Sequence, residues 1–327
     1  MLLPFVTALA TGAIILWLSR RSAPHVYWLL AKHSLGDQTS LANTLAYTTP
    51  VLLTGLATAF AFRAGVFNIG VEGSLYLGAF AAAWVGFTYV HANGVILIVA
   101  GLVLAALAGA VCAAPAALLR TYLGVDEVVT TLMFNFIAIG ITSYLVNGPY
   151  LAQGTANSMS PLVASQASLP RLAAPSQLTI GILIALAAAF LFWFVFARTT
   201  IGYELRMVGQ NRRFAAASGI PIARVVVVAF LVSGILGGLA GGIQILGVNH
   251  RFVDHFSPGY GFTGIAVALL GRNTAIGCCL AAFFFGALEN GGATVQLFTN
   301  IPIELINVLQ GVVMIFAVVE IGRARRR

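Results

Sequence analysis

The segment Arg63-Ala-Gly-Val-Phe-Asn-Ile-Gly-Val-Glu-Gly73 decides the fold, because it separates two long apolar runs, Thr49–Phe62 and Ser74–Val90. It carries three glycines, an asparagine and a glutamate where a simple spanning helix would carry Leu, Ile or Val. Irregular backbone inside a bilayer is tolerated only where protein or a water-filled cavity surrounds it, and a glutamate there marks a pathway or a pairing site. The alternative is a cytoplasmic turn with Glu72 near a helix N-terminus, where a carboxylate is stabilised. The segment alone leaves both readings open.

The composition indicates an integral membrane protein. Of the 327 residues, 60% are hydrophobic and 8% are charged, and the mean hydropathy is +0.97, whereas soluble domains carry about a quarter charged residues. The net charge of +8 could suggest nucleic-acid binding. However, five arginines cluster at 198–224 and four at 323–327, as expected of cytoplasmic loops and tails. We therefore expect membrane lipid around the chain and no nucleic-acid partner.

The apolar runs predict an all-α integral membrane fold of about ten transmembrane helices, forming one polytopic domain over residues 1–327. The predicted helices are Leu2–Leu18, Leu41–Phe62, Val71–Val90, Val95–Leu119, Val128–Val146, Leu178–Ala197, Val225–Val248, the shorter Gly259–Gly271, Ala275–Leu297 and Ile303–Ile321. The segment 20–40 is expected to be an external connection with a short amphipathic piece.

The distribution of basic residues predicts the orientation of these helices. With both termini in the cytoplasm, the loop 198–224 is cytoplasmic and the loop 147–177 is extracytoplasmic. This arrangement places twelve basic residues inside and five outside, in line with the positive-inside rule. The Arg20-Arg21 pair is the main exception.

The second to fifth predicted helices run in the opposite sense to the seventh to tenth, which is the parity of an inverted-topology repeat. A candidate sequence trace of the repeat is Gly65-Val-Phe-Asn-Ile-Gly70 beside Gly261-Phe-Thr-Gly-Ile265. Both stretches precede an apolar run, and 259–271 has the character of a glycine-interrupted segment. In transporters of this kind, such a pair indicates the substrate site.

The sequence offers no constellation for catalysis. A nucleophile–base pair, a metal-ligand cluster and the phosphate-binding pattern G-x-x-x-x-G-K-[ST] are all missing from it. The cysteines Cys112, Cys278 and Cys279 lie in apolar runs without metal-ligand spacing. We therefore expect no enzymatic activity, no metal and no cofactor bound by this chain.

The segment Thr199–Ile220 is the most informative loop. Apolar residues alternate with polar residues and glycine over 204–209, and Asn211 can cap a short helix, Arg212–Ser218, that Gly219 ends. A short amphipathic helix between spanning helices can lie on lipid or dock in a groove of a partner. A solvated basic loop would explain the arginines but not the order of glycine, arginine and asparagine.

Five motifs together give the chain a family resemblance. They are Phe67-Asn-Ile-Gly-Val-Glu-Gly73, Gly124-Val-Asp-Glu-Val-Val-Thr-Thr131, Leu205–Ile220, Gly261–Asn273 and Asn307-Val-Leu-Gln310. The chain resembles the membrane permeases of bacterial ATP-binding-cassette (ABC) importers. It is most similar to the nucleoside type within the simple-sugar and branched-chain amino-acid group. The resemblance covers nearly the whole chain and is weakest in the N-terminal segment and in the loop 147–177.

The resemblance implies a permease of the bacterial inner membrane that forms half of a pathway for nucleosides. A second homologous permease would complete a heterodimer, cytoplasmic ABC ATPase subunits would use ATP, and an extracytoplasmic lipoprotein would deliver the substrate. The region Leu205–Ser218 would hold the coupling helix that grips the ATPase. Its candidate coupling residues are Glu204, Leu205, Arg206, Gly209, Asn211, Ala215 and Ala216.

Candidate substrate contacts must supply a flat aromatic face for a base and polar groups for ribose hydroxyls. They are Phe67, Asn68, Glu72, Asn135, Phe262, Thr263, Glu289 and Asn290. Amide side chains can instead form interhelical hydrogen bonds worth about 1 kcal/mol each. That structural role is favoured for Asn135 and Gln310 and remains open for Asn290, whereas a pathway role is favoured for Asn68 and Glu72. Phe262 fits packing and substrate contact equally well.

Three other functions are compatible with parts of the sequence. A permease of the same architecture for a simple sugar is the nearest alternative. A stand-alone ion- or proton-coupled carrier is less favoured, because the few intramembrane acids form no aligned relay. A membrane enzyme is disfavoured, because a catalytic constellation is missing.

Overall fold

The computed structural model describes residues 22–155 and 157–298, together with residues 10, 11, 13, 14, 16, 17, 308, 311 and 312. Over these residues the chain is helical, and its β pairing is limited to two isolated bridges, Met159 with Val253 and Arg171 with Thr179. The predicted all-α class is confirmed. Most of the predicted helices Leu2–Leu18 and Ile303–Ile321, together with Gln310, lies outside the described residues.

The described ranges contain eleven α-helices. They are α1 (Ala23–Leu35), α2 (Gln38–Arg63), α3 (Val71–Thr88), α4 (Gly94–Leu123), α5 (Glu127–Asn147), α6 (Gly181–Arg198), α7 (Thr200–Gln210), α8 (Arg212–Ala217), α9 (Ile222–Gln244), α10 (Tyr260–Leu270) and α11 (Ala275–Phe298). A short π-helix, Ile245–Asn249, continues α9, and a short 3-10 helix covers Ser165–Ala167. In the described part of the chain, six helices are long and apolar enough to cross a membrane, namely α2, α4, α5, α6, α9 and α11.

Side-chain caps mark the starts of α5 and α8. The side chain of Asp126 accepts the amide of Val128 at 2.8 Å and begins α5. The side chain of Asn211 accepts the amide of Phe214 at 3.1 Å and begins α8. These oxygens satisfy amides that have no partner within the helix. Helix α8 thus begins at the predicted Arg212, whereas α5 begins at Glu127, one residue before the predicted Val128.

Helix α9 packs against α3 and α4 through glycine. A methyl group on Gly238 would overlap the carbonyl oxygen of Ala105 in α4, and one on Gly241 would overlap that of Leu75 in α3. On the other side of the contact, a methyl group on Gly109 would overlap the carbonyl oxygen of Gly234. These helices pack backbone to backbone, as small residues allow in membrane proteins. Any side chain at these positions would push the helices apart.

The segment Gly259–Gly271 differs from its prediction. It is short, as expected, but it is not interrupted, because Tyr260–Leu270 is one regular helix, α10. Gly261 and Gly264 lie inside that helix and allow close contact with α3 and α2. The irregular backbone flanks α10 instead, with positive φ at His250 and His255 before it and at Arg272 and Asn273 after it.

The predicted external connection at 20–40 contains the regular helix α1, which packs against α11. The Ser34 hydroxyl in α1 donates to the carbonyl oxygen of Ala287 in α11 at 2.5 Å. At the start of α2, the amide of Ser40 donates to the Asp37 carboxylate at 2.6 Å and lowers the pKa of Asp37 below its usual value. The connection is therefore an ordered part of the bundle.

The two long loops lie at opposite ends of α6. The loop 147–177 packs over the turn between α3 and α4, where the Gln166 amide donates to the carbonyl oxygens of Val90 at 2.6 Å and Ala92 at 2.9 Å. The loop 198–224 lies at the other end of α6 and holds α7 and α8. These two ends of the molecule are called the 147–177 end and the 198–224 end below.

A glycine-to-alanine pair tests the packing of α9. Gly238→Ala should lower the free energy of unfolding by about 1–3 kcal/mol, because the added methyl group overpacks the contact with α4. Gly140→Ala, on an exposed helical position of α5 with nothing near its Cβ position, should be neutral or stabilising by up to about 1 kcal/mol. Thermal unfolding in detergent measures both, and equal shifts in the two variants would contradict this packing.

Candidate functional site

The segment Arg63–Gly73, called the junction from here on, is an ordered connection between α2 and α3. Gly65 adopts a left-handed conformation with φ of +69°. Its amide bonds to the carbonyl oxygen of Phe62 at 3.1 Å, and the amide of Val66 bonds to that of Ala61 at 3.2 Å. This pair of bonds is the Schellman motif, which ends a helix and favours glycine at the left-handed position. The chain then runs on to Gly70, where α3 begins.

Side chains of α5 satisfy the backbone of the junction. The Asn135 amide group donates to the carbonyl oxygen of Ile69 at 2.9 Å, and its oxygen accepts the amide of Gly73 at 2.7 Å. The Thr131 hydroxyl accepts the amide of Ile69 at 3.2 Å. Buried backbone groups need such partners where the helical ladder is interrupted. Asn135 therefore has the bridging contacts expected of a structural role.

Asn68 ties the junction to α9. Its side chain is buried, its oxygen accepts the amide of Gly70 at 2.9 Å, and its nitrogen donates to the Ser233 hydroxyl at 2.9 Å. The side-chain oxygen and nitrogen of Asn68 both have protein partners. Substrate contact by Asn68 stays a prediction, since it would require exchange of one of these partners.

Glu72 joins the two stretches that the sequence pairs as a repeat trace. It lies in the first turn of α3, is 3% exposed, and accepts the amide of Gly261 at 2.5 Å. The Ser257 hydroxyl accepts the amides of Gly259 and Tyr260 at 3.2 Å. Glu72 thus caps the start of α10, where a helix dipole favours negative charge.

Glu289 and Asn290 are neighbours on α11, and both are buried. The Asn290 side chain donates to the carbonyl oxygen of Ser40 at 2.9 Å and to the Thr44 hydroxyl at 3.0 Å, which joins α11 to the start of α2. Glu289 lies near Tyr260, and Tyr260 is also close to Glu72. Tyr260 is buried, and sequence reasoning missed it, although its position next to Gly261 was a signal.

The predicted aromatic contacts remain accessible. Phe67 is 47% exposed and its ring packs on that of Phe62, with 4.5 Å between centroids. Phe262 on α10 is 41% exposed, and its neighbour Thr263 is half-buried. These three residues can be reached by a ligand or by lipid. Of the predicted contacts, the structure therefore brings Asn68, Glu72 and Asn135 together in a buried network around the junction and leaves the aromatic rings open.

The loop 198–224 forms two helices, α7 and α8, that meet at Asn211. Of the predicted coupling residues, Leu205 and Ala215 are buried against the rest of this chain, whereas Asn211 and Ala216 are exposed. Glu204 and Arg206 are half-buried, and Gly209 is exposed. The predicted residues are therefore divided between the two sides of the loop.

Large apolar side chains that the sequence did not single out are exposed on the same loop. They are Ile201, Tyr203 and Phe214, each about half exposed. In the sequence, only their large size among arginines and glycines set them apart. Their exposure could not be predicted, because tertiary contacts decide which face of α7 is covered. The loop thus presents apolar residues beside Arg213, which is also exposed.

In the described residues, no group of three or more His, Cys, Asp or Glu side chains is placed to hold a metal ion. An ion pair between Arg120 and Glu127, at 2.9 Å, links the end of α4 to the start of α5. Because it joins the adjacent ends of two consecutive helices, this ion pair is a local structural contact at the 198–224 end.

Comparison with known proteins identifies clear relatives. A family model described as the permease component of branched-chain amino acid transport systems matches residues 40–318. The guanosine ABC transporter permease protein NupP of Bacillus subtilis is 36% identical over 96% of this chain and 91% of its own length. The glucose ABC transporter permease protein TsgB13 of Haloferax volcanii is 36% identical over 97% of this chain and 86% of its own. A further guanosine ABC transporter permease protein of Bacillus subtilis, NupQ, is 30% identical over 79% of this chain and 84% of its own.

Amide substitutions test the polar network around the junction. Asn135→Ala and Asn68→Ala should each lower the free energy of unfolding by about 1–3 kcal/mol, because each leaves buried polar groups of the junction or of α9 without a partner. Asn157→Ala serves as the matched control, since Asn157 is exposed in the loop 147–177, and its effect should stay within about 0.5 kcal/mol. Denaturation in detergent measures all three. A shift for Asn135→Ala no larger than that of the control would contradict the bridging role.

Proposed function

Because this chain belongs to the family of permease components of branched-chain amino acid transport systems, we propose that it is a transmembrane subunit of an ATP-driven bacterial importer for nucleosides. It is a multi-pass membrane protein of this family, with six helices of spanning length and composition in its described part. The single observation that supports coupling of this chain to an ATPase is the exposed apolar surface of α7 and α8. We place the chain in the inner membrane with both termini and the 198–224 end in the cytoplasm.

The exposed surface of α7 and α8 fits a protein partner. Phe214 is 54% exposed beside Arg213, and Tyr203 presents a second aromatic ring. Aromatic and arginine side chains are the usual anchors of protein interfaces. A groove of a cytoplasmic ABC ATPase is the partner that would cover them, and ATP would be bound and hydrolysed there and not by this chain.

A second permease would complete the pathway. NupP and NupQ come from one organism, both are described as guanosine permease proteins, and both are similar to this chain, which supports a heterodimer of related subunits. Helix α5 has the surface such an assembly needs, because it packs on one side only and exposes Met133, Phe136 and Ile137. An extracytoplasmic lipoprotein would deliver the substrate at the 147–177 end.

Nucleosides are the substrate that the relatives and the accessible side chains support best. NupP and NupQ are described as guanosine permeases, and the exposed rings of Phe67 and Phe262 can stack on a base. A simple sugar is the second candidate, because the glucose permease TsgB13 shares the same 36% identity with this chain.

Uptake by the reconstituted importer tests the proposal. Proteoliposomes that contain this chain with its ATPase, second permease and lipoprotein should take up guanosine when ATP is present and not when an ion gradient alone is applied.

Phe214→Ala should lower both co-purification of the ATPase and ATP-driven uptake by about tenfold, because it removes an aromatic anchor from the interface.

The matched control is Phe190→Ala, which removes an exposed aromatic ring from α6, away from α7 and α8, and should leave ATPase association unchanged. Uptake of glucose in place of guanosine would favour the sugar permease. Uptake by this chain alone, driven by an ion gradient and indifferent to ATP, would overturn the proposal.

A further inference from the structure

Helix α10 is held at both of its ends by the junction. At its start, the Glu72 carboxylate accepts the amide of Gly261 at 2.5 Å. Just beyond its end, the Nε of Arg63 donates to the carbonyl oxygen of Asn273 at 2.8 Å. Arg63 and Glu72 lie nine residues apart, near the two ends of the junction. Their side chains form hydrogen bonds at opposite ends of the eleven-residue helix α10.

The middle of α10 has little freedom to slide on its neighbours. A methyl group on Gly264 would lie 2.6 Å from the carbonyl carbon of Thr54, so the two backbones are in direct contact. The Thr54 hydroxyl in α2 also donates to the carbonyl oxygen of Tyr260 at 2.9 Å. Closely packed backbones transmit displacement because the interior has low compressibility. Helix α10 should therefore follow α2 and the junction as one body.

The junction in turn rests on α7. A methyl group on Gly65 would lie 2.9 Å from the Cα of Gly209, and one on Gly209 would overlap the carbonyl oxygen of Arg63. The Arg212 side chain reaches the carbonyl oxygen of Gly65 at 3.5 Å. The contacts of Gly209 with Gly65 and Arg63 involve backbone on both sides, so movement of the end of α7 reaches the junction without passing through a flexible side chain.

We propose that the junction is the transmission element between α7 and α10, and that Arg63 and Glu72 are positioning residues that make α10 follow the movement of α7. This inference rests on the proposed function, in which an ATPase moves α7 and α8. Movement of the ATPase surface would pass from Gly209 to Gly65 and then to both ends of α10, which carries Phe262 and Thr263. In this role the Glu72 carboxylate acts as a hydrogen-bond acceptor for the start of α10.

Uptake per ATP hydrolysed tests this inference in the complete importer, with whichever of guanosine or glucose the wild type imports. Arg63→Met, which keeps a side chain of similar length but has no hydrogen-bond donor, and Glu72→Ala should each retain ATPase association and ATP hydrolysis while uptake per ATP falls about five- to tenfold, because each releases one end of α10. Glu72→Gln keeps an oxygen that can accept the amide of Gly261, so it should restore most of the coupling. If uptake per ATP fell as far in Glu72→Gln as in Glu72→Ala, the negative charge of Glu72 would be what matters. That result would contradict its role as a hydrogen-bond acceptor.

The matched control is Arg120→Met, which breaks the ion pair with Glu127 at the 198–224 end and leaves the contacts of α10 intact. Its uptake per ATP should equal that of the wild type. Unchanged uptake per ATP in Arg63→Met and Glu72→Ala would overturn the inference, and so would a parallel fall of hydrolysis and uptake, which would indicate general damage. Failure of the proposed function is distinct, because the wild type would then show no ATP-driven uptake.

Discussion

The structure depends on how an interrupted helix satisfies its backbone inside a membrane protein. Between α2 and α3 the helical ladder stops, and the amides and carbonyl oxygens of the junction need other partners, since buried polar groups without partners are costly. Asn68 within the junction and Thr131 and Asn135 on α5 provide these partners. The polar residues of the junction are thus part of the construction that keeps it ordered.

The same construction connects elements that are far apart in sequence. Asn68 reaches Ser233 on α9, and Glu72 reaches Gly261 at the start of α10. Glycine contacts bring α9 against α3 and α4, and Gly65 brings the junction against α7. A permease that passes movement from a loop to helices in the membrane needs such rigid contacts, because loosely packed side chains would absorb the displacement. The junction combines features of the two readings, since it is a turn beside the loop 198–224 on one side and a buried polar network on the other. Its position in the substrate pathway stays a prediction.

Local sequence patterns were sufficient for several helices. Asn211 begins α8 where capping chemistry predicts, and apolar runs place α2, α4 and α11 to within a few residues. The partner of Glu72 could not be predicted, because Gly261 lies 189 positions away and only tertiary packing brings the two together. The glycines of 259–271 were misread as an interruption for the same reason, since their small size serves contacts with α2 and α3.

The candidate coupling residues show the same limit. The pattern of α7 and α8 predicts an amphipathic loop, but it does not tell which apolar residues face the rest of the chain. Leu205 is buried, whereas Phe214 is exposed. That division depends on where the loop lies against the junction. The sequence therefore supports the class of function, whereas the surface available to a partner is a property of the assembled fold.

The most direct test of this account is a pair of spin-label distances in the assembled importer, with and without trapped ATP. One pair joins Tyr203 on α7 to Phe262 on α10, and the other joins Phe262 to Leu162 in the loop 147–177, all of which are exposed positions. Cysteine labels would be placed in a background in which the three native cysteines are replaced. The account predicts a constant distance from Tyr203 to Phe262 and a changed distance from Phe262 to Leu162. A changed first distance with a constant second one would show that α10 does not follow α7 and would contradict the account.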